Sequence, residues 1–228
     1  NVTFFFFFYK EVLKDISFKV KKGETIALVG PTGVGKTTII NLLMRFYDIK
    51  NGEIKVNNEN IKDFKLSSLR KKIGIVLQET VLFVGSVKDN IGFGNLDADD
   101  NEIKEAAFKA NADDFISLLK EEYDTELRDD GENLSSGQRQ LLSIARTILS
   151  DPDVLILDEA TSNVDTRTEK KIQEAMKRLM FGRINIVKMS TPPKGNLQIQ
   201  CNSCQNSNVI FHRNFFKILN FVCNHKRP

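Results

Sequence analysis

Apolar runs alternate with segments of helical periodicity along most of the chain. Residues 16–20 alternate apolar and polar side chains, a pattern that predicts a half-buried strand. Continuous apolar runs at 25–29, 73–77 and 154–157 are typical of strands that are buried on both faces. Residues 52–56, which are followed by two asparagines, predict a further strand and a turn.

Apolar positions three or four residues apart predict helices between these strands. The pattern occurs at 36–46, 98–122, 137–149 and 166–180. A last apolar run, at 184–187, predicts a strand after the final helix. Strands that alternate with helices in this way favour an α/β fold with a largely parallel sheet.

The composition is that of a soluble globular protein. The chain has 228 residues, of which 41% are hydrophobic and 28% charged, enough for one core with or without a small subdomain. A membrane-spanning helix needs about 20 consecutive apolar residues, and the runs in this chain, such as the phenylalanines at 4–8, are far shorter. The first residues lack a secretory signal pattern, and the missing initiator Met predicts a fragment.

Charge divides the chain into two segments. The formal net charge of +3 consists of −3 for residues 1–183 and +6 for residues 184–228, which contain no Asp or Glu. All three cysteines and both histidines also lie in this tail. We therefore predict a boundary near residue 183. The slightly acidic body gives no indication of a nucleic-acid partner, because nucleic acids bind basic surfaces.

A phosphate-binding motif of the form G-x-x-x-x-G-K-[ST] lies between the strand at 25–29 and the following helix. The residues that we assign to nucleotide binding in this motif are Gly30, Pro31, Thr32, Gly33, Val34, Gly35, Lys36, Thr37 and Thr38. Gly33 and Gly35 let the backbone turn its N–H groups toward an anion at the helix start. Lys36 adds a positive charge for the phosphates, and the Thr37 hydroxyl can bind Mg²⁺. The alternative, a glycine-rich turn before an ordinary helix, is disfavoured because strand, loop and helix occur in the expected order.

Two acidic residues follow the most apolar of the predicted strands. The strand at 154–157 delivers Asp158 at its carboxyl end, from which it can reach Mg²⁺ through a water molecule. Glu159 comes next and is suited to polarise a water that attacks the γ-phosphate. Taken alone, such a pair would indicate a solvated turn or a helix N-terminus. Together with the phosphate loop it indicates a nucleotide site, of a kind shared by kinases and many other nucleoside triphosphatases.

A third motif narrows the choice of family. Residues 134–140 read Leu-Ser-Ser-Gly-Gln-Arg-Gln, and an apolar helix and then Asp158 and Glu159 follow them. This order resembles the ATP-binding cassette (ABC) family, whose signature usually reads LSGGQ; Ser136 stands in place of its first glycine. The resemblance covers the chain from its first residue to about residue 182. The residues that flank these motifs look most like those of half-transporter exporters that move lipids, drugs or peptides.

The resemblance implies a P-loop NTPase fold in which a mixed, mainly parallel sheet is flanked by helices. An ATP-binding domain is expected at 1–183, with an inserted helical subdomain at about 79–150 that carries the signature. Two such domains sandwich two ATP molecules, and each signature contacts the ATP that the other domain holds. The residues expected to act in trans in this way are Ser135, Ser136, Gly137, Gln138 and Asp165.

The resemblance also implies roles for single residues. Glu159 is the expected general base, Lys36 is expected to clamp phosphate, and Gln78 to sense the metal and couple to the membrane partner. The expected ligands of Mg²⁺ are Thr37, Gln78 and Asp158. Tyr9 is similar to the aromatic residue that stacks on adenine.

Some of these assignments have structural alternatives. Ser135 and Ser136 also fit the N-cap of a helix with Gln138 nearby, since capping and phosphate binding use the same groups. Tyr9 also fits a core aromatic on an early strand, and Gln78 a surface residue at a strand end.

The cofactors and partners follow from the resemblance as well. ATP and Mg²⁺ are expected at the phosphate loop, together with a second ABC domain from the same or another chain. The transmembrane domain of an exporter, missing from this chain, is expected to hold it at the cytoplasmic face of a membrane. No nucleic-acid partner is expected.

The resemblance fails near the end of the chain. The family closes its active site with a histidine just after the strand that is predicted at 184–187, but the first histidine beyond this strand is His212. We interpret residues 184–228 as a non-family tail that is disordered or artefactual, as a frameshift or a mis-joined exon would produce. An alternative is a zinc clip, for which the ligands would be Cys201, Cys204, Cys223 and His225.

Three functions remain open at this point. The first is an ATP-binding and ATP-hydrolysing domain that powers export through ATP-driven dimerisation. The second is a degenerate module that binds ATP, hydrolyses it weakly because the histidine is absent, and pairs with a competent partner. The third is a non-transport ABC ATPase that acts on ribosomes or DNA. It is disfavoured by the exporter-like residues around the motifs and by the absence of a second cassette.

Overall fold

The chain forms two compact units in the computed structural model. The first unit consists of Asn1–Ile73 and Ile184–Pro228, and the second unit of Gly74–Arg183. The residues that the structure describes are 2–6, 10–16, 18–49, 52–77, 80–128, 131–158, 164–189, 208–212 and 216–220. Among them, no helix is both long and apolar enough to cross a membrane.

Short strands and helices follow one another along the described residues. The strands are β1 (Val2–Phe6), β2 (Lys10–Ile16), β3 (Thr25–Val29), β4 (Lys55–Val56), β5 (Glu59–Asn60), β6 (Ile73–Val76), β7 (Gly85–Ser86), β8 (Glu126–Leu127), β9 (Val154–Asp158), β10 (Ile184–Met189), β11 (Asn208–His212) and β12 (Phe216–Asn220). The helices are α1 (Lys36–Leu43), α2 (Leu66–Lys71), α3 (Val87–Gly92), α4 (Asp100–Lys109), α5 (Asp113–Ile116), α6 (Ser136–Ser150) and α7 (Thr166–Met180), with a 3₁₀ turn at Glu122–Asp124.

Strand β3 is paired along both edges in the main sheet of the first unit. β10 runs parallel to one edge, with Asn185 opposite Thr25, and β12 runs parallel to the other. β11 adds to β12 in the antiparallel direction. Ala27 and Leu28 are fully buried. The continuous apolar run at 25–29 therefore forms a doubly buried strand, and the parallel pairing confirms the predicted α/β class.

The strand predicted at 16–20 is wrong. β2 ends at Ile16, where it pairs antiparallel with β1. Residues 18–24 are outside any strand, and the Phe18 side chain is exposed. A turn follows, in which the N–H of Glu24 donates to the carbonyl of Lys21 (3.0 Å) and the N–H of Lys21 donates to Glu24 Oε2 (2.8 Å). Alternation of side chains does not reveal this turn, which directly precedes β3.

The strand predicted at 52–56 is shorter than expected. Only its last two residues form β4, which pairs with β5. Asn57 and Asn58 make the connecting turn, with φ values of 52° and 68°. Asparagine tolerates this left-handed backbone better than most residues, and two such residues in succession are typical of a tight hairpin.

Helix prediction succeeds best for α6 and α7, each of which begins directly after a side chain that caps it. α7 coincides with the helix predicted at 166–180, and α6 extends the helix predicted at 137–149 by one residue at each end. α1 is shorter than predicted because Arg45, at φ 54°, turns the chain out of the helix. The region predicted as helical at 98–122 contains α4 and α5, which are separated at Asn111 (φ 57°).

Helix α6 is the central element of the second unit, where it packs against α3, α4 and α7. Its buried stripe includes Leu141, Leu142 and Ala145. Burial of a leucine side chain contributes about 1.5–3 kcal/mol, so this stripe fixes α6 firmly among its neighbours. β6 lies beside β9, and β7 pairs with β8.

Residues 184–228 contribute three of the strands named above, β10, β11 and β12. The cysteines and His225 of the hypothetical zinc clip lie outside the described residues. The boundary near residue 183 and the interpretation of the tail stay predictions, as does the helical subdomain at 79–150. The second unit is larger than that subdomain, since it also contains β9 and α7.

Candidate functional site

The phosphate loop connects β3 to α1 and owes its shape to two glycines. Gly33 and Gly35 have φ values of 86° and 103°, in the left-handed region that favours glycine. Among the residues that the structure describes, none has an atom within 4 Å of a Cβ placed on Gly33, so backbone conformation is what requires glycine there. Gly35 is the N-cap of α1 and, as glycine, provides no capping side chain. The first N–H groups of α1 are thus left able to bind an anion.

The Lys36 ammonium group lies against this loop. Lys36 is only 5% exposed, and its Nζ donates to the carbonyl oxygens of Gly30 and Pro31, the latter at 3.0 Å. The positive charge is therefore held among the loop's own backbone groups. Thr37, the next residue, is exposed on the first turn of α1. A fixed cation beside uncapped helix N–H groups is suited to bind a phosphate chain.

Asp158 is the last residue of β9, in the second unit. The four residues before it are buried, while Asp158 itself is half-buried. Its carboxylate and the Thr37 hydroxyl are hard oxygen donors, the ligand type that Mg²⁺ prefers. Among the described residues, no group of three His, Cys, Asp or Glu side chains is arranged to hold a metal by itself. The donor chemistry fits a cation that is bound mainly by substrate phosphates and water.

The signature begins α6 with a reciprocal pair of hydrogen bonds. Ser135 is the N-cap, and its Oγ accepts from the N–H of Gln138 (3.2 Å). Gln138 Oε1 accepts in return from the N–H of Ser135 (2.8 Å). The N-cap alternative therefore describes the local structure. It does not compete with phosphate binding, because the Ser135 hydroxyl is an acceptor in this pair and keeps its own proton to donate.

The departure from the usual signature falls at an exposed position. Ser136 is exposed at the first position of α6, whereas Gly137 is buried. Serine is thus accommodated where the family usually has its first glycine, and the glycine that packs inward is retained.

Arg139, one turn into α6, holds the loop that precedes the signature. Its Nη1 donates to the carbonyl oxygens of Leu134 (2.9 Å) and Gly131 (3.4 Å). The N–H of Leu134 donates to the carbonyl of Gly131 (2.9 Å), which closes a tight turn. The sequence contains Arg139 within the motif but gives no indication of this supporting role.

Asp165 is the N-cap of α7, as Ser135 is the N-cap of α6. Its Oδ1 accepts from the N–H groups of Thr168 (3.0 Å) and Arg167 (3.1 Å). These hydrogen bonds, that of Thr168 first, lower the pKa of the Asp165 carboxyl. Gly137 lies against Val164 and Thr168. The structure thereby brings together the first turns of α6 and α7, which carry the residues expected to act in trans.

Other predicted site residues lie outside the described part of the chain. They are Tyr9, Gln78 and Glu159. Lys36 and Thr37 belong to the first unit, and Asp158, Ser135 and Asp165 to the second. The roles of all these residues stay predictions.

A group of residues that the sequence does not single out surrounds Asn90, at the middle of α3. Asn90 is 1% exposed, and its side chain pairs with both backbone groups of Phe83: Oδ1 accepts from the N–H and Nδ2 donates to the carbonyl, each at 2.8 Å. Nδ2 also donates to the carbonyl of Ser86 (3.1 Å). The Asn90 side chain therefore holds the segment before α3 by pairing with both backbone groups of one residue, as the backbone of a neighbouring strand does.

Arg146 of α6 also contacts the residues around Asn90. Its Nε donates to the Asn90 carbonyl (2.8 Å), Nη2 to Asn90 Oδ1 (2.9 Å) and Nη1 to the Val81 carbonyl (3.1 Å). The Arg146 Cζ atom lies 4.9 Å and 5.8 Å from the ring centroids of Phe83 and Phe93. Burial lowers the pKa of the Arg146 guanidinium, but an arginine stays protonated at neutral pH.

The two phenylalanine rings are also open to solvent. Their centroids are 4.7 Å apart, and Phe83 and Phe93 are 43% and 57% exposed. Val81 and Val84, on the same segment as Phe83, are 53% and 70% exposed. We call these four residues the apolar surface. The signal for it in the sequence is an arginine that interrupts the apolar stripe of α6.

Comparison with known proteins gives consistent results. The family model described as ABC transporter matches residues 13–162. An uncharacterized ABC transporter ATP-binding protein of Bacillus subtilis is 52% identical over 178 residues, which cover 78% of this chain and 30% of that protein. A candidate multidrug export ATP-binding/permease protein of Staphylococcus aureus is 51% identical over 176 residues, covering 77% of this chain and 30% of that protein. The chain thus spans about a third of the length of these relatives.

A solved structure is also similar to this chain. The structure of a bacterial Atm1-family ABC exporter with ATP bound superposes with a TM-score of 0.75 and 40% sequence identity. The match covers 83% of this chain and 33% of that one. Together with the family match, this similarity confirms the predicted P-loop NTPase fold.

Proposed function

Since the chain belongs to the ABC transporter family, we propose that it is the ATP-binding and ATP-hydrolysing domain of an exporter. The observation that carries this proposal is the loop between β3 and α1, where a nearly buried Lys36 lies beside helix N–H groups that no N-cap side chain occupies. This arrangement supplies a positive charge and oriented donors to a polyphosphate. Burying a positive charge is costly during folding, and a bound polyphosphate offsets that cost.

ATP is bound, in this proposal, with its β- and γ-phosphates at Lys36 and Mg²⁺ held by Thr37, Asp158 and Gln78. When Mg²⁺ is bound there, its charge would neutralise the negative charge that develops on the phosphate oxygens. Glu159 accepts a proton from the attacking water, whose oxygen bonds to the γ-phosphorus as the bond to the β-phosphate oxygen breaks. ADP leaves with that oxygen. Tyr9 stacks on adenine.

The second half of each site comes from another ABC domain. Ser135 offers a hydroxyl proton, and the start of α6 offers backbone N–H groups, both suited to the γ-phosphate of an ATP bound elsewhere. Asp165 begins the neighbouring helix against which Gly137 packs. We propose that Ser135, Ser136, Gly137, Gln138 and Asp165 form the face that meets the second domain. Hydrolysis of the γ-phosphate then removes the link and lets the pair separate.

The apolar surface is the proposed docking site for the membrane-spanning part of the exporter. Its four side chains are substantially exposed, and exposed apolar groups that cluster mark contact sites. The Staphylococcus aureus relative is by its description an ATP-binding/permease protein, and this chain covers 30% of it. We therefore take the occupant to be a segment of such a permease, on the same polypeptide or another. This contact would hold the domain at the cytoplasmic face of a membrane.

The relatives favour the hydrolysing domain over the degenerate module, since they are described as ABC transporter ATP-binding and multidrug export proteins. Hydrolysis by this chain itself is part of the proposal. Phosphate release that is no faster in the unchanged chain than in its Glu159→Gln variant would assign it to the degenerate module.

ATP-driven dimerisation tests the proposal. The Glu159→Gln chain, which should bind ATP without hydrolysing it, is expected to sediment as a dimer with ATP and Mg²⁺ and as a monomer without them. Ser135→Ala in the same background should abolish the dimer. Ser117→Ala is the matched control, because Ser117 is the C-cap of a different helix, α5, in the same unit. A Glu159→Gln chain that stays monomeric at saturating ATP contradicts the proposal.

A further inference from the structure

We propose that Lys188 is a second phosphate-binding lysine, which contacts the terminal phosphate of ATP and makes the site favour ATP over ADP. The inference rests on the proposed function, because it adds a residue to the proposed nucleotide site. Lys188, Lys36 and the phosphate loop all belong to the first unit.

Strand pairing sets the end of β10 beside the start of the phosphate loop. β10 runs parallel to β3, with Lys188 opposite Leu28. Val29 then ends β3, and Gly30 begins the loop. Neighbouring strands are about 4.8 Å apart, and each residue advances the strand by about 3.3 Å. Lys188 is therefore one strand spacing and two residues away from the loop, at the edge where parallel α/β sheets bind their ligands.

The neighbours of Lys188 direct its ammonium group toward this loop. Alternation along a strand puts Lys188 on the same face of the sheet as Ile186, two residues earlier, and as its partner Leu28. Ile186 and Leu28 are 5% and 0% exposed, whereas Lys188 is half-buried. A lysine in such surroundings buries its stem along apolar side chains and extends its charge to a polar region. Within the first unit, that region is the carboxyl end of β10 and the phosphate loop beside it.

A lysine is also an unusual residue for this strand. Strands of a parallel sheet are apolar at nearly every position, and β10 departs from that pattern at Asn185 and Lys188. Asn185 has a structural explanation, since its Nδ2 donates to the Thr25 hydroxyl (3.3 Å) on the neighbouring strand. Lys188 lies at the other end of β10, where the ligand edge is. Departures of this kind are expected at functional sites.

No second charged residue occupies this edge among the described residues of β10, β11 and β12. The positions in register with Leu28 or Val29 are Lys188, Met189, Asn208, Val209, Leu219 and Asn220. His212 is in register with Phe216 and hence with Thr25, at the opposite end of β3. Lys188 is therefore the residue of these three strands that is placed to add a positive charge to the site.

A second lysine suits a triphosphate better than a diphosphate. The Lys36 ammonium is held at the start of the loop by the carbonyls of Gly30 and Pro31, and Lys188 reaches the loop from the adjacent strand. ATP carries more negative charge than ADP, so the second cation contributes more to ATP binding. Loss of one charge-assisted hydrogen bond lowers affinity by about 10- to 100-fold. We expect the lower figure, because a half-buried lysine is partly screened by water.

The test compares ATP and ADP on the same protein. The Glu159→Gln, Ser135→Ala chain separates binding from hydrolysis and dimerisation, and displacement of a fluorescent ATP analogue in the presence of Mg²⁺ gives both affinities. Lys188→Met keeps the stem without the charge. It should weaken ATP binding by about 10-fold and ADP binding by less than about twofold. Lys188→Arg keeps the charge and should retain most of the preference for ATP.

The control is a second lysine of the first unit. Lys62 Nζ donates to the carbonyl of Ile49 (3.3 Å), and Lys62→Met removes the same charge. It should leave the ratio of the two affinities unchanged. The ratio comes from one sample, so a change in the folded fraction cannot produce a difference in it.

A second measurement needs no substitution at residue 188. Acetylation of lysines by an amine-reactive reagent is followed by mass spectrometry in the Glu159→Gln, Ser135→Ala chain. ATP should slow the acetylation of Lys188 more than ADP does, while Lys62 should react equally with either nucleotide present.

The outcomes are distinct. An unchanged ratio of ATP to ADP affinity in Lys188→Met overturns the inference and leaves the proposed function standing. An equal loss of the ratio in Lys62→Met overturns it as well, since net charge would then explain the effect. If Lys188→Met does not fold, equal protection of Lys188 by ATP and ADP overturns the inference. A chain that retains Lys188 and binds neither nucleotide overturns the proposed function, and the inference with it.

Discussion

A Cβ atom on Gly137 would lie 2.4 Å from the Cγ2 atom of Thr168. It would also lie 3.0 Å from Cγ1 of Val164. Space rather than backbone conformation thus requires glycine at this position of α6, since its φ is not among the positive values. The contact presses the first turn of α6 against the first turn of α7. It explains why the second glycine of the signature is kept while Ser136 replaces the first.

Gly137→Ala is expected to destabilise the chain by about 1–3 kcal/mol, because the added methyl group must push the two helices apart. The same displacement should weaken ATP-driven dimerisation of the Glu159→Gln chain. Urea unfolding and sedimentation measure the two effects. Ser136→Ala, at the exposed neighbour, is the control and should change stability by about 0.5 kcal/mol or less. Equal stability of Gly137→Ala and the unchanged chain would show that the helices can separate freely.

Gly94→Ala is expected to be among the most costly substitutions in the second unit. Its methyl group would lie 2.1 Å from the Arg146 carbonyl oxygen, which is backbone and cannot turn away. We expect a loss of about 3 kcal/mol in urea unfolding. The matched control is Gly92→Ala in α3, whose methyl group would meet Ile103 Cδ1 at an ordinary van der Waals distance of 3.5 Å. Because alanine is the better helix former, Gly92→Ala should stabilise by about 0.5–1 kcal/mol. The opposite order of the two variants would be inconsistent with the close contact.

Asn90→Ala should destabilise the chain by about 3 kcal/mol, because both backbone groups of Phe83 and the Nη2 group of Arg146 lose a partner at a buried position. Asn90→Asp keeps the acceptor oxygens but loses the donor to the Phe83 carbonyl. Its stability should therefore lie between that of Asn90→Ala and that of the unchanged chain. Urea unfolding gives the ranking. Faster proteolysis between residues 80 and 86 in Asn90→Ala would show that the released segment is the one before α3. A neutral Asn90→Ala would mean that the segment is held by other contacts.

Acid should weaken the start of α3 through Asp89. The Ser86 hydroxyl, and then the Ser86 N–H, donate to the Asp89 carboxylate (2.7 Å and 3.0 Å) and lower the pKa of Asp89. A carboxyl whose pKa is lower in the folded chain stabilises it above the unfolded pKa, about 3.9. That contribution disappears as pH falls through the folded pKa. The stability difference between the unchanged chain and Asp89→Asn should therefore shrink from pH 7 to pH 3. Other carboxylates titrate alike in both proteins, so a constant difference would contradict the assignment.

Lys36→Met should lower ATP affinity by about 10- to 100-fold, which is the range for loss of one hydrogen-bonded charge. Methionine keeps the volume of the buried stem, so circular dichroism should be unchanged. Lys88→Met is the control, since Lys88 forms an ion pair with Asp100 (2.5 Å) in the other unit. Equilibrium binding of a fluorescent ATP analogue measures the effect. Unchanged affinity in Lys36→Met would overturn the proposed nucleotide site.

The sequence by itself determined the features whose signals are local. The limits of α7 and α6 follow from periodicity and from the caps Asp165 and Ser135, which bond to N–H groups two or three residues away. The phosphate loop follows from glycines whose backbone conformation few other residues adopt. Tertiary structure alone decided why Gly137 must be glycine and that Arg146 covers Phe83 and Phe93. These contacts join residues that are distant along the chain, and folding selects them by how well surfaces pack, which no local pattern encodes.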